Sequence, residues 1–128
     1  MPVEITWEPH GVYRKFYGSF SHDEMQAAQN AVYGNIRFDE LHYIINDYLE
    51  SDPDTSIDDC AVERATAFAF GAMQTNPRLR FAFVATNPKI LQLIEHIPSV
   101  PISESVPFEV FSTLADARRW VESDAWYK

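Results

Sequence analysis

Apolar residues alternate with polar ones through the first twenty positions, the period of a strand that is covered on one face. Residues 5–8 read as a short strand, and residues 12–20 as a longer one. In the second strand Val12, Phe16 and Phe20 share one side, and Tyr13, Lys15 and Tyr17 share the other. Arg14 interrupts the apolar side, which suggests that this end of the strand lies near a sheet edge. Pro9-His10-Gly11 between the two strands has the proline and glycine spacing of a type I turn. The period then lengthens. Ser21 and Glu24 form a capping-box pair ahead of a helical stripe of Met25, Ala28 and Val32, which stops at Gly34, a residue suited to a left-handed terminator. Residues 42–48 carry Tyr43, Ile44, Ile45 and Tyr48 with little polar alternation, as in a strand buried on both faces. A second helix is expected from Thr55 or Ser56 to Asn76-Pro77. A strand over 79–85 follows. Asn87-Pro88 opens a third helix with Ile90, Leu91, Ile94 and Ile97 inward. After a proline-bearing loop, a short strand over 108–111 precedes a helix capped by Thr113.

Strands linked through helices imply parallel pairing with right-handed crossovers. The expected fold is therefore α/β. It has a single open, mostly parallel sheet of about five strands, helices on both faces and an antiparallel N-terminal hairpin, all in one domain over 1–128. Ligands of such sheets bind beyond the carboxyl ends of the strands, here residues 21–24, 47–59, 86–88 and 112–116. Trp126 and Tyr127 are expected to fold back onto the domain.

Composition narrows the function classes. The 128 residues include 19 Asp+Glu against 10 Lys+Arg, a net charge of −9, which disfavours nucleic acid as a partner. One cysteine cannot form an internal disulfide, so the expected compartment is the cytoplasm. No apolar run is long enough for a transmembrane segment. Seven acids and no base occupy residues 47–63. Of these, Asp47, Glu50, Asp52, Asp54, Asp58 and Asp59 form a candidate interaction surface for a protein with a basic face. Asp52, Asp54, Ser56, Asp58 and Glu63 match an EF-hand loop in part, but Ile57 stands where that loop turns on glycine, and no metal is assigned. Thr55 and Ser56 are candidate phosphorylation sites at a helix start. Cys60 reads as a packed helix residue. No His-Glu-x-x-His, Gly-x-Ser-x-Gly or P-loop pattern occurs, so neither an enzyme nor a cofactor is expected.

Four stretches carry a family resemblance. They are Trp7-Glu8-Pro9-His10-Gly11-Val12 leading to Phe16-Tyr17-Gly18; Tyr43-Ile44-Ile45-Asn46-Asp47-Tyr48; Asn76-Pro77 with residues 81–85; and Phe108-Glu109-Val110-Phe111 leading to residues 115–121. In this order they resemble the STAS fold, and more closely the bacterial SpoIIAA-like group, which shares features with CRAL-TRIO lipid-carrier domains. In the regulatory branch of that fold a serine within Asp-Ser-Ser-Gly, at the start of the helix after the middle strand, is phosphorylated. Here Asp54-Thr55-Ser56-Ile57-Asp58 matches in position only. The resemblance implies a small non-enzymatic regulatory or protein-interaction module. Its alternative is a carrier or sensor of a small nonpolar, lipid-like molecule, with Phe68, Met73, Phe81 and Phe83 as candidate pocket residues beside Phe70. Self-association into a homodimer is a further expectation.

Overall fold

A computed structural model describes residues 3–123. Trp126 and Tyr127 lie outside the described residues. Strands β1 (Val3–Trp7), β2 (Gly11–Phe20), β3 (Tyr43–Pro53), β4 (Arg80–Val84) and β5 (Phe108–Phe111) form one sheet in the order β1-β2-β3-β4-β5. The β1–β2 pair is antiparallel and the other three pairs are parallel. Helices α1 (His22–Tyr33), α2 (Asp59–Ala72) and α3 (Pro88–Glu95) make the crossovers, and α4 (Leu114–Val121) follows the last strand. This is the α/β architecture that the hydrophobic pattern predicts. Among the described residues no helix is long and apolar enough to cross a membrane.

The strand order decides where the helices go. Each crossover joins neighbouring strands in the same direction, so connections of one hand stack α1, α2 and α3 on one face. Val12, Ile44 and Phe81 of that face pack with Val32 of α1 and with Ala69 and Met73 beside α2. Among the described residues no strand follows α4, which turns back over the other face. There Ala117 and Val121 cover Tyr43, Ile45, Ala82 and Val84.

Local signals account for the helix ends. Ser21 and Glu24 form the reciprocal capping box, Asn87 caps α3 through the Lys89 amide, and Thr113 caps α4 through the Asp116 amide. Gly34 ends α1 with an ordinary helical φ of −86°, not a left-handed one.

Three expectations need correction. Arg14 is not at an edge, because β2 lies between β1 and β3, and its side chain is buried. Helix α2 starts at Asp59, not at Thr55 or Ser56: Asp58 caps it by accepting from the Ala61 amide at 2.9 Å. Strand β3 runs five residues past Tyr48. The register jumps between Lys15 and Tyr17, whose partners are Asp47 and Glu50, so β3 carries one extra residue there. This bulge reverses the alternation. Glu50 and Asp52 are turned to solvent, and Ser51 and Pro53 are buried in their place. A polar stretch that reads as a loop therefore continues as a strand.

Candidate functional site

The three-helix face is incompletely filled. Helix α2 lines this face with the small side chains of Ala65, Thr66 and Ala69, and a cavity of about 110 Å³ remains. Its floor is a row of aromatic rings, one or two from each of four strands. Phe16 and Phe20 come from β2, Tyr48 from β3, Phe83 from β4 and Phe108 from β5. Neighbouring ring centroids are 4.6 Å apart for Phe16–Tyr48, 5.0 Å for Phe16–Phe20, 6.4 Å for Tyr48–Phe83 and 5.7 Å for Phe83–Phe108, the spacing of favourable aromatic packing. Met25 of α1, Val62 of α2 and Leu93 of α3 complete the wall and are themselves half-buried, so the space opens between the helices.

One end of the cavity is polar. Arg14 donates from Nε to Asn46 Oδ1 at 2.7 Å, across the β2–β3 register, and makes a long contact of 3.5 Å from Nη1 to the Ala28 carbonyl. Tyr33 lies near the guanidinium, but burial outweighs the nearby charge and raises the Tyr33 pKa. Gln29 lines the same end, and its buried Oε1 has no hydrogen-bond partner among the described residues. Tyr48, surrounded by apolar atoms, is pushed up to about 12 by burial and stays a neutral hydroxyl at physiological pH.

Of the four residues expected to line a pocket, Phe81 and Phe83 do. Met73 is packed into the core, and Phe68 lies outside, 39% exposed and stacked on Tyr33 at 5.4 Å. Of the carboxyl-edge segments, only Tyr48 and Ile57 reach the cavity. Sequence reading missed Arg14, Phe16, Phe20 and Gln29. The available signal was the aromatic on the helix-facing side of each strand opposite small residues at 61, 65 and 69 of α2.

The acidic residues disperse. Asp47 is buried on the opposite face, where it accepts from the Tyr13 hydroxyl at 2.5 Å and the Leu49 amide at 3.0 Å, so it offers no docking surface. Glu50 pairs with Lys15 at 2.5 Å, and Asp52 with Lys89 at 3.3 Å. Asp54 braces Ser56, accepting from its amide at 2.8 Å and its hydroxyl at 2.5 Å, while Asp58 caps α2. Asp59 and Glu63 face His96, whose Nε2 lies 2.9 Å from Glu63. Ser56 is exposed and serves α1, not α2: its hydroxyl accepts from the His22 amide at 2.8 Å. Thr55 beside it is exposed. Cys60 is exposed, contrary to the packed position expected, in a polar cleft with His22, Ser56 and Arg64.

Solved structures share this fold. The anti-sigma factor antagonist SpoIIAA in its unphosphorylated form matches with a TM-score of 0.62 at 13% identity, covering 94% of this chain and 98% of that one. The Bacillus cell fate determinant SpoIIAA in the phosphorylated form matches with a TM-score of 0.58 at 10% identity, covering 94% and 99%. An uncharacterised DUF3478-family protein with a SpoIIAA-like fold, from Shewanella loihica PV-4, matches with a TM-score of 0.50 at 15% identity, covering 93% and 91%. No protein-family model matches the chain, and no curated protein matches it by sequence. The fold is SpoIIAA-like, as the four sequence stretches suggest.

Proposed function

We propose that this chain is a non-enzymatic carrier or sensor of a small nonpolar molecule, held between the sheet and helices α1–α3. The observation that carries this reading is the aromatic-floored cavity of about 110 Å³ facing the short side chains of α2. An engineered apolar cavity of roughly 150 Å³ takes a benzene-sized guest, so this volume suits a compact molecule or a short chain. Native mass spectrometry of freshly purified protein tests it. The expected result is a small adduct released on denaturation, lost in an Ala65→Phe variant whose ring fills the space. Wild-type protein that carries no adduct and takes up no apolar probe would overturn the reading.

A second reading, a regulatory protein-interaction module in the cytoplasm, is supported by the likeness of fold to an anti-sigma factor antagonist. The exposed acids Glu50, Asp52, Asp58 and Asp59, with the half-buried Asp54 among them, would then meet a basic partner, and association should weaken with salt. A partner captured equally well by the Asp52→Asn, Asp54→Asn, Asp58→Asn triple variant would remove that surface.

A further inference from the structure

Arg14 is a buried cation lining an apolar cavity, and both acceptors it meets are neutral: the Asn46 side chain and the Ala28 carbonyl. Buried arginines ordinarily pair with a carboxylate, because an uncompensated charge in an apolar setting is costly. This chain has acids to spare, 19 against 10 basic residues. It uses one for Arg118, which binds Glu8 with two contacts of 2.7 Å. No described carboxylate forms an ion pair with Arg14. The nearest acid on the adjoining strand, Asp47, follows Asn46 and so faces the other side, held by Tyr13. A guanidinium has five N–H donors, so two contacts, one of them long, leave donors uncommitted.

Two further polar groups point the same way. Gln29 lines the cavity as a buried amide whose oxygen is unpartnered, and its amide can turn to set either its oxygen or its N–H₂ group against an occupant. The Tyr48 hydroxyl keeps its proton and lies near enough to Arg14 to feel its charge. The polar end thus offers donors and one positive charge, and the rest of the wall offers aromatic and aliphatic carbon.

We propose that the occupant is a small apolar carboxylate, its anionic head paired with Arg14 and its carbon chain lying over Phe16, Phe20 and Phe83. The inference rests on the carrier reading and adds the ligand's charge to it. A charge-assisted hydrogen bond lost in a buried site weakens binding about ten- to hundredfold.

The test is calorimetric titration of the intact protein at pH 7 with hexanoate and with 1-hexanol, which share a chain length and differ in charge. Hexanoate is expected to bind at least about tenfold more tightly than 1-hexanol. Arg14→Met should abolish that preference while leaving 1-hexanol binding in place. Gln29→Leu should weaken hexanoate several-fold and leave 1-hexanol unchanged. Should Arg14→Met fail to fold, the ratio in the unaltered protein and its response to Gln29→Leu still decide. Equal affinity for the two probes in the unaltered protein would overturn the anion assignment and leave the cavity reading standing. Failure of both probes to bind would remove the cavity reading itself.

Discussion

Glu8 joins the β1–β2 turn to α4. It accepts both Arg118 contacts and the Tyr43 hydroxyl, and the Arg118 hydrogen bond holds its pKa below the ordinary 4.5 despite burial. A carboxylate depressed in the folded state contributes stability that is present above its unfolded pKa and is lost as pH falls through the folded one. Glu8→Gln is expected to cost about 1–2 kcal/mol at pH 7. Urea midpoints of the two proteins should converge as pH drops below about 4; a gap unchanged with pH would contradict the linkage. Asn76 is a second such residue. Its buried Nδ2 donates to the Phe38 carbonyl at 2.9 Å and the Leu41 carbonyl at 2.8 Å, pinning the 3₁₀ turn Ile36–Glu40 to the end of α2. Asn76→Ala strands two buried acceptors and should cost about 2–3 kcal/mol, read from the same urea series. Sequence reading identifies Asn76 as a helix stop and not as a clamp, because its acceptors lie 38 and 35 residues away.

Helices α2 and α3 flank the cavity and are tied at their surface by His96 and Glu63. The Glu63 carboxylate raises the His96 pKa above 6.5. That tie is strongest with His96 protonated and loosens as pH rises through the raised value. An NMR titration should place the His96 midpoint above 6.5, and Glu63→Gln should return it toward that value. An unmoved midpoint would mean that the pair does not form in solution. At this scale the elements themselves were largely legible. The Ser21–Glu24 capping box, Asn87-Pro88 and the Pro9-His10-Gly11 turn depend on residues a few places apart, so their signal is local. The bulge in β3 was not, since it exists only against β2, and it moved the acids that looked like one loop onto a strand, a turn and a cap. The cavity was half legible for the same reason. Phe81 and Phe83 share a strand, but the space beneath α2 depends on how three helices lie over the sheet.

Across the whole molecule the two faces of the sheet differ in how they are closed. Three helices cover one, while α4 covers Tyr43, Ile45, Ala82 and Val84 on the other. Ending the chain at residue 113 would bare that apolar surface, and such a protein is expected to form larger assemblies in light scattering than the full chain does. A truncated chain that stays dispersed and folded would show α4 to be dispensable. The strand order has its own outcome for how the molecule is born. Spatial order and chain order coincide from β1 to β5, so a ribosome delivers each strand to an edge already waiting for it, and no gap between earlier strands has to be held open. The sheet can grow by accretion during translation, and α4, made only after all five strands, is the segment that seals its second face.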